Sequence, residues 1–169
     1  MADSILSACF TGHRPERFGR PDQYRKSEQK LSSLLADEVI RTIDRGCTVF
    51  YCGMARGADL LAGETVLSLK PLYPKIRLIA VIPYPKQPYY WENQWVARYN
   101  QVLHRCDEAV TIAQNYAGGC FALRNRYMVD HSDHIIAVIN PEESHGGTVQ
   151  TIRYAKRQNK SIAVIPWQL

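Results

Sequence analysis

Short apolar runs alternate with helical patterns along the whole chain, and this alternation constrains the possible fold more than any other feature. The runs cover residues 5–10, 47–52, 77–82, 108–112, 134–139 and 161–165. Runs of this length and character are typical of parallel strands that are buried on both faces. Between them apolar residues recur at helical spacing, as Leu31, Leu35 and Val39 do. The sequence therefore predicts the α/β class: a single Rossmann-like doubly wound domain over residues 1–169 with a mainly parallel sheet.

The predicted helices fill the intervals between these strands, at residues 29–45, 60–70, 91–106, 121–132 and about 148–158. In the fourth helix, Arg124 and Met128 share one face, whereas Arg126 points away from it. One arginine is thereby placed to reach a ligand while the other stays in water. The alternative is that both arginines are solvated surface charges.

Three glycine-bearing loops follow predicted strands, at residues 11–15, 53–59 and 146–148. In open α/β sheets ligands gather outside the carboxyl ends of the strands, so the fold would bring these loops to one edge. Gly53 and Gly57 favour a sharp turn and a close approach to a ligand, and the helix after them aims N–H groups at an anion. Arg56 adds a forked cation, and Asp59 either caps the helix or accepts from a sugar hydroxyl. A plain glycine turn capped by Asp59 is the alternative interpretation.

The last of these loops, Gly146-Gly147-Thr148, precedes a helix. It is predicted to cradle a phosphate with main-chain N–H groups and the threonine hydroxyl, although Thr148 is equally explained as an ordinary N-cap. The glycine spacing of the chain matches neither G-x-G-x-x-G nor G-x-x-x-x-G-K-[ST]. The sequence therefore predicts an anion site without a standard dinucleotide or P-loop signature, and no cofactor.

Several kinds of catalytic and metal chemistry are not favoured by the sequence. No G-x-S-x-G elbow for a hydrolytic serine is present. Cys52, at a strand end, is interpreted as a small buried hydrophobe rather than a nucleophile. Asp130, His131, Asp133 and His134 are close in sequence, but His134 already begins a strand, so we expect no convergence on a metal. No metal site is predicted and no catalytic residue is named, which leaves open whether the protein is an enzyme.

Charge and cysteine content indicate partners and compartment. The formal charge of +5 permits an anionic partner without requiring one. Five cysteines without a C-x-x-C pair are typical of a reduced, cytoplasmic protein. Neither a membrane span nor a signal peptide is predicted. Exposed Tyr89 or Tyr90 would offer a base-stacking surface, although packing is the commoner role of such side chains. Whether copies of the chain form a homo-oligomer is left open.

In combination, four motifs resemble the YpsA-like branch of the SLOG superfamily. They are Thr11-Gly12-His13-Arg14-Pro15, the stretch 53–59, the stretch 124–128 with Asp130 and Ser132, and Gly146-Gly147-Thr148. The resemblance extends from the first predicted strand to the last. It implies a Rossmann-like fold that binds or processes a nucleotide or a nucleotide-derived ligand, while the biochemical function of the branch itself is largely unknown.

Two better-understood relatives imply different activities. The stretch 54–59, Arg124-Asn125-Arg126 and Gly147-Thr148 resemble motifs of the Rossmann domain of DprA, which binds single-stranded DNA. LOG-type phosphoribohydrolases carry the signature P-G-G-x-G-T-x-x-E with a catalytic glutamate. In this chain the corresponding position is Thr151, so the carboxylate is missing unless Asp59 or Glu64 replaces it.

The resemblance and the loops together predict the ligand-binding residues, which are Thr11, Gly12, His13, Arg14, Gly53, Met54, Arg56, Gly57, Asp59, Arg124, Asn125, Gly146, Gly147 and Thr148. The favoured hypothesis is that they bind a nucleotide or nucleotide-derived small molecule. The alternatives are DprA-like binding of single-stranded nucleic acid and hydrolysis of a nucleotide N-glycosidic bond.

Overall fold

All six predicted strands form and pair into one parallel sheet in the computed structural model, which describes residues 4–167. The strands are β1 (Ser7–Gly12), β2 (Val49–Cys52), β3 (Arg77–Ile82), β4 (Glu108–Thr111), β5 (His134–Ile139) and β6 (Ser161–Pro166). Their order in the sheet is β4-β3-β2-β1-β5-β6, and every neighbouring pair is parallel. The predicted α/β fold is confirmed. Residues 1–3 and 168–169 of the predicted domain lie outside the described residues.

Five α-helices connect the strands: α1 (Tyr24–Asp44), α2 (Ala58–Leu69), α3 (Asn93–Arg105), α4 (Cys120–Asp130) and α5 (Gly147–Arg157). Two short 3-10 turns, Pro15–Arg17 and Pro21–Gln23, lie between β1 and α1. Within residues 4–167, no helix combines the length and the apolar character that crossing a membrane requires.

The helices form a layer on each face of the sheet, because successive strand side chains point to opposite faces. In β1, Phe10 packs into a large apolar cluster with residues of α1, α2 and α3, including Leu35 of α1. Its neighbour Cys9 belongs to a smaller cluster on the other face, with Met128 of α4 and Ala155 of α5. The sheet is therefore covered on both faces, which explains why its central strands are apolar throughout.

The strand order reverses beside β1. The chain runs outward from β1 through β2 and β3 to β4, and then returns to place β5 against the other side of β1. The register pairs Gly12 at the end of β1 with Val138 of β5. Ligand sites of open α/β sheets lie at this kind of reversal, so the carboxyl ends of β1 and β5 are the place to look for one.

All element boundaries except the start of α1 lie within two residues of the predicted ones, and two of the differences have identifiable reasons. Helix α1 begins at Tyr24 rather than at residue 29. The apolar pattern did not indicate its first turns because they are polar and the first buried residue of the helix is Leu31. Strand β1 continues to Gly12 instead of ending at Phe10. A Cβ at Gly12 would lie 2.6 Å from Cβ of Ala58, so glycine lets the end of β1 pack against the start of α2.

Candidate functional site

A cavity of about 350 Å³ lies at the carboxyl edge of the sheet, above the point where the strand order reverses. We call it the central cavity. Its volume falls within the usual range for small-molecule sites, which is about 300 to 1,000 Å³. Ten of the fourteen predicted ligand-binding residues line it, namely Thr11, Gly12, His13, Arg14, Asp59, Arg124, Asn125, Gly146, Gly147 and Thr148. The fold therefore brings the loops after β1 and β5 together, as expected from their positions at strand ends.

The other four predicted residues are Gly53, Met54, Arg56 and Gly57, and they do not line the central cavity. A Cβ at Gly57 would lie 2.6 Å from the main-chain oxygen of His13, and a Cβ at Gly53 would lie 2.8 Å from Oδ2 of Asp59. These glycines therefore permit close packing against other parts of the protein, whereas the prediction was a close approach to a ligand. The N–H of Ala58, at the start of α2, also donates to the main-chain oxygen of His13 (3.0 Å).

Met54 and Arg56 have partners elsewhere. Met54 is fully buried with φ of 59°, and its carbonyl accepts a hydrogen bond from Nε2 of Gln87 at 3.1 Å. The Arg56 guanidinium forms ion pairs with Glu16 (2.9 Å) and Glu92 (3.2 Å). These contacts hold the loop after β2 against its neighbours, and the role of both residues in ligand binding stays a prediction.

His13 joins the loop after β1 to the end of β5. Its Nε2 accepts the main-chain N–H of Asn140 at 2.8 Å, so the ring is neutral with its proton on Nδ1. Burial and the positive charge of Arg17 lower the pKa of His13 below its ordinary value of 6.5, against the opposing charge of Glu143. A protonated ring would place two donors face to face at Asn140, so folding favours the neutral form.

This arrangement predicts a pH dependence of stability. Because the pKa of His13 is lower in the folded state, the unfolded chain takes up the proton first, and the free energy of unfolding falls as the pH drops below 6.5. We expect the loss between pH 7 and pH 5 to be smaller in His13→Gln than in the unchanged protein, because glutamine takes up no proton in either state. Urea unfolding at both pH values measures it.

The exposed His145 supplies the control for this measurement. His145→Gln should keep the pH dependence of the unchanged protein. The buried His134, whose pKa is also lowered by burial, is retained in both variants and does not contribute to the difference. Equal pH dependences of the His13→Gln and His145→Gln proteins would contradict the assignment.

Arg14 contributes a positive charge to the central cavity. It is partly exposed, and within residues 4–167 its guanidinium forms no ion pair or hydrogen bond. Asp59 is only 6% exposed; burial raises the pKa of its carboxyl, and the charges of Arg124 and Arg14 oppose that rise. Two arginines therefore face one carboxylate, and the inner part of the cavity favours an anion.

Arg124 is the most constrained cation at the site. It is 4% exposed, and its Nη1 donates to the carbonyl of Gly53 (2.8 Å) and to Oε1 of Gln87 (3.1 Å). Its Nε donates to Oδ1 of Asn125 at 3.1 Å. Arg126 is exposed, as the helical spacing predicts. Arg124 therefore ties α4 to the loop after β2 while presenting one edge to the cavity.

The start of α5 is open toward the central cavity. Gly146 is the N-cap, with φ of 105°, and no side chain caps the helix. An added Cβ at Gly146 or Gly147 would meet no atom within 4 Å. The alternative interpretation of Thr148 as the N-cap is therefore wrong. An uncapped helix start beside open space and a free guanidinium is an arrangement that binds anions.

Sequence reasoning missed one wall of the cavity. Phe121 lines it, and ring contacts to Tyr84 (6.0 Å) and Tyr116 (6.5 Å) hold its ring in place. The expected stacking residues Tyr89 and Tyr90 are exposed and pack edge-to-face on each other, away from the cavity. The position of Phe121 at the start of α4, directly after the glycine turn, was the available signal.

The structure also places the carboxylates that a hydrolase would need. Thr151, at the position of the LOG glutamate, is buried and donates to the carbonyl of Gly147 at 2.9 Å. Glu64 lies outside the cavity and is bound by Arg98 through two contacts of 2.7 Å. Asp59, Glu16 and Glu143 are the carboxylates that line the cavity.

Metal binding and thiol chemistry are not indicated by the geometry. Among residues 4–167, no three His, Cys, Asp or Glu side chains are grouped so as to hold a metal ion. Cys52 is fully buried, and burial raises its pKa, so its thiol stays protonated and packs as a hydrophobe.

Comparison with known proteins identifies the family. The family model YpsA, described as the YspA SLOG family, matches residues 8–168. A UPF0398 protein of Bacillus pumilus (strain SAFR-032) is 26% identical over 83% of this chain and 75% of its own length. The UPF0398 protein YpsA of Bacillus subtilis (strain 168) is 24% identical over 80% of this chain and 76% of its own length.

A third relative is an uncharacterized SPbeta prophage-derived protein of Bacillus subtilis (strain 168), YoqJ. It is 29% identical over 64% of this chain and 69% of its own length. Because the family model covers nearly the whole sequence, the chain belongs to the YspA SLOG family.

Proposed function

We propose that this SLOG protein binds a nucleotide or a nucleotide-derived small molecule in the central cavity. The observation that carries the proposal is the juxtaposition of the Arg14 guanidinium, which forms no ion pair or hydrogen bond within residues 4–167, with the uncapped, open start of α5 at the point of strand reversal. Main-chain N–H groups and a guanidinium together match the oxygens of a phosphate. The phosphate of the ligand would lie between Arg14 and Gly147.

The remaining walls suit the other parts of a nucleotide. Phe121 offers an aromatic surface against which a base stacks, and such stacking contributes about 1 to 3 kcal/mol per base. Asp59 accepts the N–H of Ala55 with Oδ2 at 3.4 Å, while its Oδ1 accepts no hydrogen bond from the described part of the chain. That oxygen would accept a sugar hydroxyl. The cavity thus combines an anion site, a hydroxyl acceptor and an apolar wall.

The proposal covers binding and does not extend to hydrolysis of the N-glycosidic bond. Thr151 occupies the position of the LOG glutamate and carries no carboxylate. Asp59 lines the cavity, and the charges of Arg124 and Arg14 oppose the rise that burial causes in its pKa, which suits it to accept a hydroxyl as a carboxylate.

Gly147→Ala tests the phosphate position. The new methyl group would enter open space at the start of α5, where it would occupy the room of a phosphate oxygen, so we expect nucleotide affinity to fall by about tenfold or more, or about 1.4 kcal/mol. Gly118→Ala is the matched control, because its Cβ also meets no atom within 4 Å and Gly118 lies outside the cavity.

The ligand is first sought by denaturing mass spectrometry of small molecules released from the freshly purified protein, followed by calorimetric titration with a panel of nucleoside mono- and diphosphates. Arg14→Gln should lower the affinity for the same ligands whose affinity Gly147→Ala lowers. Nucleotide affinities that Gly147→Ala and Arg14→Gln leave unchanged would refute the proposed site, and a panel without any binding would refute the proposed ligand class.

A further inference from the structure

A second cavity, of about 280 Å³, lies between α4 and α5, and we call it the α4–α5 groove. Three arginines line it, Arg126 from α4 and Arg153 and Arg157 from α5, and none of the lining residues is a carboxylate. Arg126 and Arg157 form no ion pair within residues 4–167. The groove is therefore a concave surface with an excess of positive charge, although Asp130 lies beside its lining residue Tyr154.

This concentration of charge has an energetic cost. Arg153 and Arg157 are four residues apart on one helix, a spacing at which like charges repel, and Arg126 faces them from α4. The ring of Tyr154 lies 5.6 Å from the Arg126 guanidinium and 5.7 Å from that of Arg157, and its hydroxyl donates to Asp130 at 2.7 Å. One aromatic ring thus holds two cations in place without neutralising them.

The groove adjoins the central cavity. Asn125 lines both. Its Oδ1 accepts from Nε of Arg124 at 3.1 Å, which fixes the amide so that Nδ2 is the donor left over, and Nδ2 makes no hydrogen bond in the described part of the chain. Arg153 connects the groove to the loop before α5, because its Nη2 donates to the carbonyl of Ser144 (3.1 Å), two residues before the N-cap Gly146.

The length of α5 determines how long a ligand must be to contact both the central cavity and the α4–α5 groove. Gly147 and Arg157 are ten residues apart, and a helix rises by about 1.5 Å per residue, so their main chains are about 15 Å apart. A single phosphate at Gly147 would not contact Arg157. A ligand whose second phosphate lies about one nucleotide further along would contact Arg157.

We propose that the α4–α5 groove is a second anion subsite, which takes the distal phosphate of a nucleotide ligand that carries two separated phosphate groups. The inference rests on the proposed function of the central cavity and makes it more specific. Asn125 donates to the linking portion of the ligand, and Arg126, Arg153 and Arg157 surround the distal phosphate. The proposed ligand class is thereby narrowed from mononucleotides to dinucleotides and nucleoside bisphosphates.

The test compares AMP with the dinucleotide pApA by calorimetry at one fixed, low salt concentration, because phosphate contacts weaken with salt. The unchanged protein should bind pApA about tenfold more tightly than AMP, and the Arg126→Gln/Arg157→Gln variant should lose about that factor for pApA alone. Lys156→Gln, an exposed charge on the same helix outside the groove, should change neither affinity by more than about twofold. Equal affinities for AMP and pApA, or a pApA affinity that the double variant keeps, would overturn the proposal.

Titration with inorganic tripolyphosphate distinguishes failure of the proposed subsite from failure of the proposed nucleotide binding. It has no base or sugar, so it reports the groove even if neither adenine compound binds. Tripolyphosphate binding to the Arg14→Gln protein that the added Arg126→Gln and Arg157→Gln changes abolish supports the subsite, while binding that they leave intact, or no binding by the Arg14→Gln protein, counts against it. Loss of AMP binding in Arg14→Gln with tripolyphosphate binding retained would assign the two phosphates to separate positions.

Discussion

Replacing Gly57 with alanine is expected to lower the free energy of unfolding by about 2 to 6 kcal/mol. Gly57 has φ of 91° and ψ of −130°, a conformation that costs other residues about 1 to 3 kcal/mol. The added Cβ would also lie 2.6 Å from the main-chain oxygen of His13 and 3.0 Å from the main chain of Arg14. Overpacking of this kind costs about 1 to 3 kcal/mol more, because main-chain atoms cannot turn aside.

Gly46→Ala separates the two contributions. Gly46 also has a positive φ, 103°, but its added Cβ would come no closer than 3.6 Å to the main-chain oxygen of Ile5. It should therefore lose only the conformational part, about 1 to 3 kcal/mol. Chemical denaturation of both variants measures the difference. If Gly57→Ala is no less stable than Gly46→Ala, the collision with the loop after β1 is not real.

The same contact explains why the site depends on a loop that does not line it. The N–H of Ala58 donates to the main-chain oxygen of His13, one residue before Arg14. Moving the loop after β2 therefore moves the cation that the central cavity offers to a phosphate. We accordingly expect Gly57→Ala to weaken ligand binding even in the fraction of molecules that stays folded.

The sequence was sufficient to predict the sheet because the pattern of a buried parallel strand is local. The runs at residues 77–82 and 134–139 coincide with β3 and β5. Gly57 was likewise recognisable as a position of special backbone geometry. The group that Gly57 approaches was not recognisable, because it belongs to a loop more than forty residues earlier. The position of that loop depends on how β1 and β2 pair.

The roles of charged residues were harder to predict for the same reason. Arg56 and Arg14 both follow strands and both look suited to a phosphate, yet Arg56 is paired with Glu16 and Glu92 while Arg14 has no ion-pair partner in the described residues. These partners lie 40 and 36 residues away in sequence. No local pattern distinguishes a paired arginine from a free one, so the structure was needed to tell them apart.

Arg124→Leu is the second substitution with a large expected effect, a loss of about 3 to 5 kcal/mol at neutral pH. Removing the cation leaves Asp59 buried without its main compensating charge, and breaking a buried charge interaction costs about that amount. It also leaves the carbonyl of Gly53 and the amide of Gln87 without their donor. Thermal or urea unfolding measures the loss. Arg126→Leu, at an exposed position two residues away, should change stability by no more than about 0.5 kcal/mol.

The pH dependence of this variant identifies the cause of the loss. Burial raises the pKa of Asp59 above its ordinary value of 3.8, and Arg124 opposes that rise, so in Arg124→Leu the pKa rises further. A carboxyl with a raised pKa in the folded state favours folding at low pH, and that contribution disappears as the pH rises through the folded-state pKa. The variant should therefore lose stability from about pH 4 toward neutrality more steeply than the unchanged protein.

Adding Asp59→Asn should remove this extra slope and restore part of the stability at neutral pH. If the double variant recovers no stability at neutral pH, the loss comes from the broken contacts to Gly53 and Gln87, and the buried charge of Asp59 is not its source.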